Sequence, residues 1–467
     1  MSAAQEEVER LLDRIGTVDV HTHAICTLHP DALAQAAALD AEAASTGPRG
    51  PLHGRAVLVK DNVDTHDLPT TAGSLALAHA PAPSRDAALV ARLRAAGMVL
   101  LGKTNLSEWA NIRDEASTSG WSAYGGLTRN PYALNRSAGG SSSGSGAALG
   151  AGLASFAIGT ETDGSITSPA AFNGCVGLKP TVGRVPTTGV VPIAHSQDSP
   201  GPMATTVRDA AALLGVLAAD GVDYAAHGVP GRLAGKRIGV PRRSYWGYSP
   251  HADAAAERAV ALLAAEGATV VDATDLPALT DEVGAAELTV LLAELRAGLP
   301  AYLATRTGDV PRSLEEVVRY NCEHADVELA HFGQSLFEQA LAGPSVHDRE
   351  YAAARASCLA FARTDGIDRV LAEHDLDALV TPSYAPASPI DLVNPESFPG
   401  SCTSATAMAG YPLLTVPTEL AAGLPVAVSF WGPAGSEATL VEIAHGYELA
   451  RDRTSGPLPP PTFADFV

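Results

Sequence analysis

Short apolar runs alternate with amphipathic segments along most of the chain. Residues 4–15 bring Val8, Leu11, Leu12 and Ile15 to one face, the spacing of a surface helix. The same rules predict strands over 57–60, 98–101, 237–240, 269–271, 378–380, 413–416 and 426–430, and helices over 30–44, 84–97, 205–217, 252–266 and 435–451. This alternation predicts an α/β fold in which helices cover both faces of a mixed β-sheet.

No linker divides the 467 residues into separate domains. A prior of about 150 residues per domain would give about three domains, but no long Ser/Gly/Pro tract or block of charge separates the halves. We therefore predict one large α/β domain over residues 1–467. Within it, residues 281–378 are predicted to be mostly helical, and we expect this region to shape the mouth of a substrate site.

Composition and charge disfavour several classes of function. The formal net charge of −21 disfavours nucleic acid or an anionic membrane as a partner. No apolar run approaches the ~20 residues of a membrane span, and the acidic start of the chain does not resemble a signal peptide. The five cysteines are scattered without a CxxC pair, which favours a reducing compartment over a disulfide framework or a zinc site. We therefore expect a cytoplasmic protein.

The stretch from Gly139 to Pro180 is the richest in candidate chemistry. It contains two clusters of Gly and Ser, which flank a helix of small residues and an apolar strand. Glycine lets the backbone approach a ligand closely, and free N–H groups in a turn before a helix can bind an oxyanion. Ser165 lies at such a turn, and Ser168-Pro169 resembles an N-cap followed by proline at the first helical position.

Three other motifs match known patterns without the context that those patterns require. His21 and His23 form an HxH pair, which we interpret as an exposed strand-to-loop segment because no later His/Asp series completes a metal site. Residues 97–104 satisfy the phosphate-loop pattern GxxxxGKT, but the residues between the glycines are typical of a buried strand. Residues 140–144 fit GxSxG without a preceding strand, and His195 is only a weak partner for a His-based triad.

The serine clusters resemble the signature of the amidase family, whose members use a Ser–cisSer–Lys triad. Ser141 precedes Ser165 by 24 positions, as in that family, and Lys60 stands in the family's Lys-Asp-Asn context at the end of a strand. The resemblance covers nearly the whole chain. It implies that Ser165 is the nucleophile, Ser141 the relay that passes the proton, and Lys60 the base. It also implies a cis peptide before Ser141 and a sheet of about eleven strands.

Further site residues are implied by the same resemblance. The oxyanion hole would consist of the backbone N–H groups of Thr162, Asp163, Gly164 and Ser165. Ser142 and Glu161 resemble positions that form hydrogen bonds around the lysine, and Asn111 is a weaker candidate for substrate contact. Nothing in this reading requires a metal or another cofactor.

A lysine can act as a base only after it has lost its proton. The ordinary pKa of lysine is about 10.4, and burial lowers it because burial disfavours the charged form. Side chains alternate across a strand, so Asp61 need not pair with Lys60. We therefore predict a buried Lys60 without a directly paired carboxylate, and an Asp61 that holds loops behind the strand.

Within the family, the chain most resembles peptide amidase, which removes the C-terminal amide from peptides. The resemblance rests on the TETDGSI sequence of residues 160–166 and on residues 102–111, 196–203 and 332–340. Thr167 stands where many members have Arg, and Asp163 where many have Gly; both departures fit this branch and disfavour a role in an amidotransferase complex. The expected partner is a small-molecule or peptide amide, bound by a monomer or a homodimer.

Other functions stay open at this level. The same triad could act on aryl amides, carbamates or esters, or the chain could belong to an amidotransferase complex and deliver ammonia within it. A non-catalytic binding protein on the same fold is disfavoured by the intact Lys60, Ser141 and Ser165.

Overall fold

An eleven-stranded mixed sheet forms the centre of the computed structural model, which describes residues 3–218 and 220–466. In chain order its strands are β1 Ile25–Leu28, β2 Ala56–Lys60, β3 Val99–Thr104, β4 Phe156–Glu161, β5 Val176–Lys179, β6 Ser199–Ala204, β7 Arg237–Val240, β8 Thr269–Asp272, β9 Ala378–Pro382, β10 Leu413–Ala421 and β11 Leu424–Trp431. Their spatial order is β1-β3-β2-β4-β6-β5-β10-β11-β9-β7-β8. The predicted α/β fold with a mixed sheet of about eleven strands is therefore confirmed.

Helices pack on both faces of the sheet. The α-helices are Ala3–Thr22, Ala32–Thr46, Leu75–Ala78, Ala88–Ala95, Ser143–Gly150, Thr167–Asn173, Val207–Ala218, Arg242–Tyr245, Pro250–Ala265, Asp281–Leu303, Leu314–Glu323, Ala325–Glu328, Ser335–Ala342, Arg349–Leu359, Asp368–His374, Ser404–Ala409 and Glu437–Ser455. Shorter elements are the 3₁₀ helices Glu108–Asn111 and Tyr224–His227, the π-helix Ala360–Ile367 and two small two-stranded sheets within residues 121–137. Among the described helices, none combines the length and apolar character needed to cross a membrane.

Strand β2 shows how alternation along the sequence builds two cores. Val59 packs into the core on one face of the sheet, whereas Leu58 packs into the core on the other face. Lys60 follows two residues after Leu58 and so lies on the Leu58 side, which the helix Ser143–Gly150 covers. The alternation thus directs the lysine towards the serine cluster and turns Asp61 away from it.

The carboxyl ends of two parallel strands create the site. Strands β2 and β4 pair in parallel, with Val57 opposite Phe156, so that Lys60 and Glu161 end the two strands at the same edge of the sheet. Ligands of open α/β sheets bind at such an edge, outside the carboxyl ends of the strands.

Small residues let the serine cluster approach this edge. The helix Ser143–Gly150 reads SGSGAALG and is almost entirely buried. A Cβ on Gly144 would lie 2.2 Å from the carbonyl oxygen of Ala24, so only glycine fits there.

Some local predictions were wrong. The segment of His21 and His23 is not a strand, because the first helix runs to Thr22 and its apolar face continues at Val18. The helix predicted over 84–97 begins only at Ala88.

The helix after Ser165 also begins earlier than predicted, at Thr167 rather than after Ser168. The carboxylate of Glu161 accepts hydrogen bonds from the N–H groups of Ile166 and Thr167, both at 2.8 Å. A carboxylate from the preceding strand therefore holds the N–H groups at the start of this helix, and Ser168 lies inside the helix and is not its N-cap.

Candidate active site

Lys60 lies fully buried at the base of the site. Its ammonium nitrogen is 2.8 Å from Ser141 Oγ, 2.9 Å from Thr160 Oγ1 and 3.3 Å from the Thr160 carbonyl oxygen. Burial lowers the pKa of Lys60 well below its ordinary value, although Asp198 and Glu161 oppose the shift. These three hydrogen-bond partners are neutral, so the environment favours the unprotonated amine.

Asp61 faces a different lysine. Its Oδ1 lies 3.2 Å from Lys103 Nζ, and its Oδ2 accepts hydrogen bonds from the hydroxyl and the N–H group of Thr71. Lys103 also donates to the carbonyl oxygens of Val63 and Pro69, at 2.8 and 2.9 Å. Asp61 therefore fixes the loop after β2, as the alternation predicted, and Lys60 has no directly paired carboxylate among the described residues.

The two serine clusters are in direct contact. The peptide bond between Gly140 and Ser141 is cis, as the resemblance implied. The N–H group of Ser142 donates to the carbonyl oxygen of Ser165 at 3.1 Å, and the Ser142 hydroxyl donates to the Thr160 carbonyl at 3.1 Å. The backbone of the predicted relay serine is thus held against the turn that carries the predicted nucleophile.

The turn Thr162–Ser165 is fixed at both ends by buried side chains. At its start, the hydroxyl of Thr162 donates to Asp198 at 2.6 Å. At its end, the Glu161 carboxylate accepts the two N–H groups that follow the turn and the Thr167 hydroxyl at 2.9 Å. A turn held this firmly can present its own N–H groups in a fixed direction, which an oxyanion hole requires.

Gly164 allows a tyrosine to pack directly over this turn. Its φ of +78° is in the left-handed region, and a Cβ there would lie 2.2 Å from the hydroxyl oxygen of Tyr384. Tyr384 is 4 % exposed and lines the cavity above Ser165.

We expect Gly164→Ala to remove most of the activity, because either the turn or Tyr384 must move. Gly183→Ala is a matched control: its φ of +84° is equally strained, but a Cβ there would have no atom of the described chain within 4 Å. Both variants should lose about 1 kcal/mol of stability from left-handed strain, whereas only Gly164→Ala should lose kcat/KM. Thermal unfolding and ammonia release measure the two effects.

A Tyr384→Phe variant separates the effect of the clash with the Tyr384 hydroxyl from the effect of left-handed backbone strain at Gly164. A Cβ on Gly164 would lie 3.5 Å from the ring carbon that carries the Tyr384 hydroxyl, which is an ordinary contact. In a Tyr384→Phe background, Gly164→Ala should therefore cost much less activity than in the native chain. If Gly164→Ala lowered kcat/KM equally in the native chain and in the Tyr384→Phe variant, the clash with the Tyr384 hydroxyl would not be the cause of the loss.

The turn opens into a cavity of about 360 Å³. Of the predicted site residues, Asn111, Thr162, Asp163 and Ser165 line it. Lys60 and Ser141 are fully buried beneath the turn. The predicted nucleophile Ser165 and the predicted substrate contact Asn111 therefore line the same cavity.

Residues 384–404 form much of the opposite wall, which the sequence did not predict. The lining includes Tyr384, Glu396, Phe398 and Thr403, whereas the described lining residues from 281–378 are limited to Leu291. Residues 281–378 therefore contribute less to the lining of the cavity than the sequence analysis predicted. One feature of the sequence could have predicted this wall: the long segment without regular structure between β9 and a short helix, because such loops are often functional.

Asn111 lies in an unusual backbone segment on the near wall. Trp109, Ala110 and Asn111 have φ values of +50°, +55° and +73°, so the 3₁₀ helix Glu108–Asn111 contains three left-handed residues. Such conformations are costly outside glycine and cluster at functional sites. The Oδ1 atom of Asn111 is buried and has no hydrogen-bond partner among the described residues.

His195 and the candidate metal ligands do not line the cavity. His195 is largely exposed, and its Nδ1 lies 3.0 Å from Glu294. In the described chain, the one side-chain group with metal-ligand spacing is His66, Asp67 and Asp86, none of which lines the cavity. Both of its carboxylates already pair with Arg94, at 2.6 and 2.9 Å.

Comparisons with known proteins agree with this geometry. The sequence profile of the Amidase family matches residues 6–441. A probable amidase of Arabidopsis thaliana is 37% identical over 470 residues, which span 96% of this chain and 86% of the plant protein. A glutamyl-tRNA(Gln) amidotransferase component of Mycobacterium tuberculosis is 37% identical over 492 residues, spanning 98% of this chain and 95% of the mycobacterial one.

Solved structures show the same fold. The native peptide amidase of Stenotrophomonas maltophilia superposes with a TM-score of 0.90 at 45% identity, covering 99% of this chain and 96% of that one. A peptide amidase in complex with the competitive inhibitor chymostatin superposes with a TM-score of 0.92, also at 45% identity, covering 98% and 96% of the two chains.

Proposed function

The chain belongs to the amidase family, and we propose that it releases ammonia from terminal carboxamides of peptides or amino acids. It is an amide hydrolase, which acts on carbon–nitrogen bonds. The observation that carries the proposal is the contact of the buried Lys60 with Ser141 beneath the cavity that Ser165 lines.

Acylation begins with a proton relay. Neutral Lys60 accepts the hydroxyl proton of Ser141, and Ser141 takes the proton of Ser165. The Ser165 oxygen then attacks the carbonyl carbon of the amide and forms a C–O bond. The carbonyl oxygen becomes an oxyanion, which the N–H groups of residues 162–165 stabilise.

The leaving group departs when the tetrahedral intermediate collapses. The C–N bond breaks, and the proton held by Lys60 returns through Ser141 to the leaving nitrogen, which departs as ammonia. Water then attacks the ester on Ser165, gives its proton along the same relay, and releases a carboxylic acid while Ser165 regains its hydrogen. Each proton taken up in one half-reaction is therefore returned, and no cofactor takes part.

Ser142 and Glu161 position this machinery. Ser142 joins Ser165 to Thr160, whose hydroxyl and carbonyl both contact Lys60. Glu161 holds the segment after Ser165 by accepting hydrogen bonds from two backbone N–H groups and from the Thr167 hydroxyl. Asn111 offers an unpaired amide oxygen in the cavity wall, which suits an N–H group of a peptide.

The substrate class is supported by the peptide amidase structures at 45% identity and by the TETDGSI sequence. A matched pair tests it: acetyl-Gln-Leu-amide against the anilide of the same dipeptide. We expect ammonia from the amide at much higher kcat/KM than aniline from the anilide. If the anilide is cleaved efficiently and the amide is inert, the carboxamide proposal fails while the triad proposal survives.

A second candidate is the amide-hydrolysing component of an amidotransferase, which the 37% identity with the amidotransferase protein of Mycobacterium tuberculosis favours. Asp163 and Thr167 count against it, because both depart from the residues common in the wider family. Turnover of acetyl-Gln-Leu-amide by the purified chain alone, as a monomer or homodimer, distinguishes the two functions.

We expect kcat/KM to rise with pH through a single ionisation below the ordinary pKa of lysine. Lys60 must be neutral to act, and its neutral fraction grows as pH rises through its lowered pKa. The profile should be measured from about pH 6 to about pH 10. Lys60→Arg is the comparison variant, because a guanidinium keeps its proton throughout this range. We expect this variant to be inactive at every pH measured. A variant that kept the native profile would contradict Lys60 as the base.

A further inference from the structure

Carboxylates are the charged groups of the cavity. Asp163 lies beside the nucleophile, Glu396 is half-buried farther out, and Glu115 is exposed at the rim. Among the described lining residues there is no Lys, Arg or His. The charged side chains that line the cavity are therefore all acidic.

Neutral groups hold the two outer carboxylates in place. Glu396 accepts a hydrogen bond from the N–H group of Ser119 at 3.0 Å and one from the Ser388 hydroxyl at 3.4 Å. Glu115 accepts one from the side-chain amide of Gln339 at 2.8 Å. These donors fix the carboxylates without cancelling their charge.

Asp163 is held in the same way at the inner end. Its Oδ2 accepts a hydrogen bond from the Ser404 hydroxyl at 3.3 Å, while Oδ1 is buried and has no partner among the described residues. Burial raises the pKa of Asp163 to about 6, so the group is ionised at neutral pH. An ionised carboxylate with a free acceptor atom is incompletely compensated.

The groups behind the wall do not reverse this charge. Glu161 and Asp198 add carboxylates beneath the turn. The nearby buried cations are Lys60, whose working form is neutral, and Lys179, whose pKa burial lowers to about 8, so that it keeps its positive charge at neutral pH. This single cation does not offset the three lining carboxylates together with those beneath the turn. A substrate in the cavity therefore experiences a net negative potential.

We infer that the cavity selects amides whose acyl part carries a positive charge, such as a Lys or Arg side chain or a free α-ammonium group. The inference rests on the proposed function and adds its substrate class. A cation gains attraction from all three carboxylates, which are only partly screened in a concave site. An acidic acyl part meets repulsion from the same groups.

Three acetylated dipeptide amides that differ in one charge test the inference. Acetyl-Lys-Leu-amide, acetyl-Gln-Leu-amide and acetyl-Glu-Leu-amide share the leaving group and the residue next to it. We expect kcat/KM to fall in that order, with about a tenfold difference between the Lys and Glu substrates at low ionic strength. Added salt should reduce the difference.

Charge-neutralising variants identify the source of the preference. Glu396→Gln and Glu115→Gln together should bring the Lys/Glu ratio of kcat/KM well below that of the native chain, and Asp163 accounts for the preference that remains. Glu350→Gln, on the helix Arg349–Leu359 and not among the residues that line the cavity, removes the same charge and should leave the ratio unchanged.

The outcomes separate the two claims. An equal or higher kcat/KM for the Glu substrate, with ammonia still released, overturns the charge preference and leaves the amidase proposal intact. A Lys/Glu ratio of kcat/KM in the double variant that equals the ratio in the native chain also overturns the charge preference. Failure to release ammonia from all three substrates, including the neutral one, contradicts the proposed function itself.

Discussion

Ser165→Ala is expected to abolish amide hydrolysis and to leave the fold intact. The variant removes the oxygen that forms the acyl bond, and the other relay hydroxyl, that of Ser141, is fully buried against Lys60. The loss should reach about 10⁴-fold or more, as for nucleophiles of other serine hydrolases. Ammonia release from acetyl-Gln-Leu-amide measures it, and thermal unfolding checks the fold.

Ser168→Ala is the matched control for this variant. Ser168 lines the same cavity, lies one helical turn after Ser165 and has the same exposed fraction, 8 %. It should retain most of the rate. If Ser165→Ala kept more than about one percent of the native rate, the nucleophile would have to be reassigned.

Ser141→Ala should cost about three to four orders of magnitude in kcat, because the relay then lacks the hydroxyl between Lys60 and Ser165. Lys60 Nζ lies 2.8 Å from Ser141 Oγ, and both side chains are fully buried. The substrate still meets an intact cavity, so KM should change far less than kcat. Steady-state kinetics on the neutral dipeptide amide separate the two constants.

Ser145→Ala controls for the loss of a buried hydroxyl. Ser145 is equally buried, and its hydroxyl donates to the Ile158 carbonyl at 2.9 Å. Both variants should lose about 1 kcal/mol of stability from the missing hydrogen bond, but only Ser141→Ala should lose the rate. Similar rates in the two variants would contradict the relay.

The part of the site that sequence could predict follows from local rules and from motif spacing. Alternation along β2 was enough to separate Lys60 from Asp61, because side chains on a strand change face at each residue. The contact between the serine clusters could not come from periodicity; it came from the resemblance, which fixed the spacing of Ser141 and Ser165.

The remaining features depend on contacts between distant segments. Residues 384–404 carry no periodic pattern, so their approach to Gly164 through Tyr384 appears only in the folded chain. Trp109, Ala110 and Asn111 adopt left-handed φ values that no local sequence rule predicts for these residue types. The helix after Ser165 begins before the predicted Ser168 cap, and Glu161 at the end of β4 accepts from its first N–H groups. The capping rule looks only for Ser, Thr, Asp or Asn directly before a helix, so it does not include this contact.

The covalent intermediate is the most direct test of the account. The chain should be mixed with the p-nitrophenyl ester of acetyl-leucine, quenched in acid during turnover, digested, and analysed by mass spectrometry. We predict that the peptide containing Ser165 gains the mass of the acetyl-leucyl group, and that the Ser165→Ala chain gains none there. An acyl group on a different residue, or equal acylation of the Ser165→Ala chain, would contradict the account.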